Sequence, residues 1–143
     1  MDNRNFEKAL LYEKQCRFKD AVLRTSKNLG VSVPKIKFWE GYCPDSQNFE
    51  VAHIHVETRT ICISNYRLRS MNYDEIDGTA VHETTHLIEA NHSEEFQKVD
   101  VQAREDLWKS RNFGDEINSE EVEDVRTLAL KKFRKSKKKL KKA

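Results

Sequence analysis

Residues 82–92, His-Glu-Thr-Thr-His-Leu-Ile-Glu-Ala-Asn-His, restrict the fold more than any other stretch of the chain. His82 and His86 are four apart and share a face only if this segment is an α-helix. On that face both imidazoles can reach one Zn²⁺ at a Zn–N distance of about 2.0–2.1 Å. Glu83 is turned roughly 100° from His82. It stands beside such an ion rather than on it, where a base acting on water belongs. His92 follows six residues after His86 and completes a three-histidine set if the chain turns between them. Asn91 tolerates the left-handed backbone that ends a helix and is expected to make that turn. Three protein ligands leave a fourth position open, which separates a catalytic zinc site from a structural one. With 5 His in 143 residues, shuffling gives His-Glu-x-x-His in about 2 of 100 sequences, so the spacing is a signal rather than a by-product of composition.

Other carboxylates compete for the same role. Glu89 falls on the metal side of the helix and offers a third ligand in place of His92, or a group supporting an imidazole. Its position about one turn beyond His86 is awkward for the same ion. Glu94 and Glu95 are further acids, but both also suit the positive end of a helix that starts after Ser93.

The surroundings of the motif read as α+β. Residues 4–29 carry Phe6, Leu10, Phe18, Ala21, Val22, Thr25 and Leu29 near helical spacing, with Gly30 as terminator. Residues 33–39, 49–57 and 60–64 alternate and read as three short strands in a mostly antiparallel sheet, with a tight turn at Thr58-Arg59. Asn72 and Glu75 form a capping box for a helix expected to run to about Ala90, with Ile76, Ala80, Leu87 and Ile88 inward. Gly78 within it points to close packing against the sheet. A further helix begins at Ser93 with Phe96, Val99, Ala103 and Leu107 buried. A last one opens at Ser119.

Composition bounds the rest. The length fits one domain, residues 1–130, followed by a basic tail at 131–143. That tail holds nine of the 26 basic residues and no acid, so the remainder carries 17 basic against 24 acidic residues, a net of −7. Clustered positive charge serves as a mobile solvated arm, as a contact for DNA or RNA phosphates, or as a segment that folds back on the acidic body and blocks the site. No stretch reads as a membrane span or a secretory signal. Three scattered cysteines, Cys16, Cys43 and Cys62, indicate reduced thiols in a cytoplasmic setting. Without Cys-x-x-Cys, Cys43 reads as a loop thiol ahead of a metal-reaching one, and His53 and His55 as a solvated sheet face ahead of a metal-binding His-x-His pair or part of a substrate groove.

The stretch from Ile61 to Val99 resembles a family. Ile61-Cys62-Ile63-Ser64-Asn65-Tyr66-Arg67-Leu68, then His82-Glu83-x-x-His86, then Asn91-His92-Ser93-Glu94-Glu95-Phe96, is similar to the minimal zinc metallopeptidases of the SprT-like and YgjP-like group. The resemblance covers 39 residues. It implies a zincin-like fold, zinc held by His82, His86 and His92, and Glu83 as general base in peptide-bond hydrolysis. Thr84 and Gln97 depart from the family's usual residues but touch no ligand. An extended peptide would add to a sheet edge near residues 49–57, and Tyr66, Tyr73, His53 or His55 would supply a second oxyanion donor. The SprT-like likeness also suggests action near DNA. Two other readings stay open: a metal-dependent hydrolase of a non-peptide bond, and a non-catalytic zinc-stabilised nucleic-acid-binding protein. The protein is expected to be a monomer.

Overall fold

The computed structural model describes residues 3–46 and 49–113. The helix expected from Ser119 and the tail at 131–143 lie outside them. The elements are α1 (Asn3–Leu29), β1 (Lys35–Trp39), β2 (Ala52–His55), β3 (Thr60–Ser64), α2 (Asn65–Leu68), α3 (Tyr73–Thr85) and α4 (Glu94–Asn112). The architecture is α+β, with three strands in the order β1-β3-β2.

The sheet is mixed, not mostly antiparallel. β2 and β3 form the expected antiparallel pair, with Ala52 opposite Ile63 and His55 opposite Thr60. β1 pairs with β3 in parallel, from Lys35 opposite Thr60 to Trp39 opposite Ser64. The chain passes from β1 to the far edge before returning, so β3 enters between them. A central strand needs apolar residues, and Ile61 and Ile63 are buried in the core. The hairpin turn is closed by Arg59, whose φ of 51° is left-handed and whose N–H donates to the Val56 carbonyl at 3.2 Å.

Core side chains come from every layer: Phe18 and Val22 of α1, Ile61 and Ile63 of β3, Ile76 and Val81 of α3, Ala103 and Leu107 of α4. In α1 the packing begins near Leu11. Phe6, expected inward, is 62% exposed because the helix there has run past the elements beneath it. The second half of α1 is tied to α3 and α4 by charges. Asp77 of α3 accepts from Arg17 Nε at 3.0 Å and Nη2 at 2.7 Å, and also from Arg111. Arg111 and Arg24 both reach Asp20, at 2.8 and 2.9 Å. Such a partly buried network fixes the relative setting of three helices more than it adds net stability.

α3 starts at its capping box: Glu75 N–H donates to Asn72 Oδ1 at 2.8 Å, and Asn72 N–H to Glu75 Oε1 at 3.0 Å. It ends at Thr85, five residues short of the expected Ala90. Thr84 and Thr85 turn their hydroxyls back onto the Ala80 and Val81 carbonyls, both at 2.7 Å, a bond that competes with regular helix continuation. Leu87 N–H and Ile88 N–H then reach back only three residues, to Thr84 and Thr85, and the chain tightens into a turn. Ile88 is consequently 44% exposed rather than inward. Asn91 is not left-handed; among the described residues Phe49 and Arg59 are the non-glycine positions with positive φ. The tight turn at 86–88 does the reversing instead. Gly78 packs on α4, not on the sheet. A Cβ there would sit 2.6 Å from Arg104 Nη1, and Arg104 Nη2 donates to the Gly78 carbonyl at 3.3 Å.

Candidate active site

The end of α3, the turn after it and the start of α4 bring three imidazoles together. His82 lies in the last turn of α3, His86 is its C-cap, and His92 immediately precedes Ser93, the N-cap of α4. Ser93 Oγ accepts from Phe96 N–H at 3.2 Å, which fixes where α4 begins and therefore where His92 projects. His92 Nε2 is 3.1 Å from both His86 Nε2 and His82 Nε2. Three nitrogens at tetrahedral positions around one Zn²⁺ should stand about 3.3 Å apart. Each Nε2 offers a single in-plane lobe, and three converging lone pairs repel unless a cation lies between them. The residues present therefore fit a metal.

The packing around these rings is specific. Phe96, 2% exposed, lies against all three, with ring centroids 5.0 Å from His82, 4.6 Å from His86 and 5.0 Å from His92. His86 Nδ1 is 3.1 Å from the Glu89 carbonyl oxygen. A carbonyl only accepts, so Nδ1 carries the proton and Nε2 keeps its lone pair for the ion. Glu89 thus supports His86 through its backbone. His82 is held toward its neutral form by burial first, then by the other two imidazoles, while Asp100 opposes. Asp100 Oδ1 is buried without a hydrogen-bond partner.

Glu83 follows His82 and is 7% exposed. Burial pushes its carboxyl from the ordinary 4.5 up to about 8, and the nearby Glu50 adds to the rise. A carboxyl in that range changes protonation near neutral pH. His82 and Glu83 line two clefts at once. One, of about 390 Å³, also takes in His86, His92, Glu50 and the edge strand β2 at Ala52, His53 and Ile54. The other, of about 640 Å³, runs on past Gly78 toward Arg67 and Arg104. Both β2 and the open side of the histidine cluster thus face one groove. Of the four residues weighed as oxyanion donors, His53 lines the cleft that holds the three histidines. Tyr66 is 64% exposed and pairs with Tyr42 at 6.3 Å, and Tyr73 lies under Arg17 on the α1 side. Arg67 and Arg104 are cleft-lining cations that spacing alone did not single out.

A second group of donors was visible in the sequence only in parts, as Cys43 and as the His53/His55 pair, without Cys62 and without their convergence. Cys43, His53, His55 and Cys62 place one ligand atom each within 4.8 Å of the others and could hold a metal ion. Cys43 is therefore not a plain loop thiol, nor is the His53/His55 face simply solvated: Cys43 and Cys62 are 8% and 4% exposed. The signal was the hairpin register. Once β2 pairs with β3, His53 falls opposite Cys62.

Among the described residues no helix is long and apolar enough to cross a membrane. Comparison with protein-family models, with curated proteins and with solved structures finds no match.

Proposed function

We propose that the chain is a zinc-dependent peptidase of zincin type, similar to the SprT-like and YgjP-like metallopeptidases. The observation that carries this reading is the triangle of His82, His86 and His92 Nε2 atoms with the buried Glu83 carboxyl on the adjoining residue. A structural zinc site has four protein ligands and no use for a neighbouring base. Here three imidazoles would leave the fourth position open, with Glu83 beside it.

His82, His86 and His92 would hold the ion, which supplies a Lewis acid and draws the pKa of a coordinated water toward about 7. Glu83 accepts the proton as water attacks the carbonyl carbon and then delivers it to the departing amine. Its raised affinity for protons suits the second step, and a nearby cation restores its capacity for the first. β2 is an edge strand whose free side runs along the cleft. An extended peptide can bind there by strand addition, with its backbone amides paired and its scissile carbonyl toward His82 and Glu83. That arrangement favours a peptide over an ester or a phosphate as substrate. Arg104, which lines the larger cleft with His82 and Glu83, is placed to donate to the developing oxyanion.

The test is hydrolysis of an unfolded protein by zinc-loaded wild type and Glu83→Gln, with metal content measured on both and DNA added in parallel. The reading requires that Glu83→Gln keeps its zinc and loses cleavage by at least about 100-fold. Equal cleavage by a zinc-loaded Glu83→Gln protein ends it.

A further inference from the structure

We propose that Cys43, His53, His55 and Cys62 form a second, structural zinc site of the Cys₂His₂ type, separate from the three-histidine cluster.

The donor set lies on the outer face of the hairpin. In β2 the side chains alternate, so Ala52 and Ile54 pack toward the core while His53 and His55 point the other way. His53 stands opposite Cys62 in the antiparallel pair, and Cys62 shares that outer face. Cys43 arrives from the loop after β1 and covers it. Four residues from three places in the chain therefore meet over one patch of sheet.

The distances match one ion. His53 Nε2 and His55 Nε2 are 3.1 Å apart, and Cys43 Sγ is 3.7 Å from His55 Nε2. Tetrahedral zinc with Zn–N of about 2.0–2.1 Å and Zn–S of about 2.3 Å requires roughly 3.3 Å between nitrogens and roughly 3.6 Å between sulfur and nitrogen. His53 Nδ1 is 3.4 Å from Glu50 Oε2. A carboxylate oxygen accepts, which places the His53 proton on Nδ1 and turns the Nε2 lone pair toward the cluster. Trp39 Nε1 is buried with no hydrogen-bond partner. The indole lies against the Cys62 side chain. An orphaned N–H beside a sulfur is what a metal-bound thiolate would satisfy.

Four protein ligands close the coordination sphere, so this ion does no chemistry on substrate. Two thiolates with two imidazoles select zinc over harder divalent ions. Its consequence is mechanical. It pins the loop carrying Cys43 to the hairpin, and His53 and Glu50, which link it to the cleft, hold the wall along which β2 runs.

The test uses the full chain purified under reducing conditions and loaded with Zn²⁺ or Co²⁺. Wild type should bind two equivalents of zinc, and the cobalt form should show sulfur-to-cobalt charge-transfer absorption. Cys43→Ser with Cys62→Ser should bind one equivalent and lose that absorption. His82→Ala with His92→Ala should also bind one equivalent but keep it, and Cys16→Ser should change neither. Should the cysteine double variant fail to fold, alkylation of wild type decides: zinc should protect Cys43 and Cys62 at least tenfold against labelling and leave Cys16 unaffected. Equal labelling of all three with and without zinc, or a single zinc equivalent without sulfur absorption in wild type, overturns the proposal. Because the readouts are stoichiometry, absorption and labelling, they stand whether or not the three-histidine cluster proves catalytic.

Discussion

Replacing Glu83 by Gln should stabilise the metal-free protein, increasingly so as pH rises. Burial of the Glu83 carboxyl raises it from 4.5 to about 8. The sign follows from linkage. Below 4.5 the carboxyl is protonated in both folded and unfolded chains and costs nothing. Between 4.5 and about 8 the unfolded chain ionises while the fold still holds the proton, so stability falls as pH rises. Above about 8 both forms are ionised and the loss is complete. At about 1.4 kcal/mol per pH unit, this interval gives a total loss of about 5 kcal/mol, of which about 3 is already present at pH 7. Gln is neutral throughout and escapes the loss. Against a typical domain stability of about 5–15 kcal/mol, the difference is large. The assay is urea unfolding in the presence of a chelator, for wild type and Glu83→Gln, from pH 5 to pH 9. Other titrating groups are common to both chains and cancel in the difference. The gap between the two should widen with pH and flatten above about 8. With zinc bound, a positive charge beside the carboxylate favours its ionised form, and the gap should shrink. Parallel pH curves in the metal-free proteins would refute the argument that burial governs Glu83.

Other perturbations probe the frame around the site. Phe96→Ala removes the ring lying against all three imidazoles; it should cost about 3–5 kcal/mol in denaturant unfolding and weaken zinc affinity about 10- to 100-fold in a competition titration. Asp77→Ala leaves Arg17 and Arg111 facing each other without their shared acid; partial exposure limits the loss to about 2–3 kcal/mol, and thermal unfolding reads it. Ser93→Ala deletes the N-cap that sets His92, with about 1 kcal/mol lost and a measurable drop in zinc affinity by the same titration. Removing residues 131–143 separates three roles for the tail: lost DNA or RNA binding in a mobility-shift assay supports a nucleic-acid contact, a gain in cleavage rate supports autoinhibition, and no change in either supports a solvated arm.

Where local chemistry decides the structure, the chain could be read directly. The capping box at Asn72 and Glu75, the start of α4 at Ser93, and the pairing of the second and third strands all follow from side-chain rules acting over a few residues. The positions of His82, Glu83 and His86 follow from helical periodicity alone. Tertiary context decided what was misread. The Thr84 and Thr85 hydroxyls end α3 early through bonds to their own helix, and the expected turn at Asn91 became unnecessary. Gly78 makes room for Arg104, a residue 26 positions away. The parallel pairing of β1 depends on where β3 is inserted, which strand pattern does not encode. Cys43, His53, His55 and Cys62 share no short motif. Their convergence appears only when alternation in β2, the hairpin register and the loop after β1 are taken together.

In the zincin reading three imidazoles share one cation beside Glu83. Anomalous diffraction from crystals of the zinc-saturated protein tests it most directly. A zinc peak is expected about 2.0–2.1 Å from Nε2 of His82, His86 and His92 alike, with the Glu83 carboxylate adjoining the open fourth position. A peak missing from that point, or His92 turned away with no other side chain in its place, would contradict it.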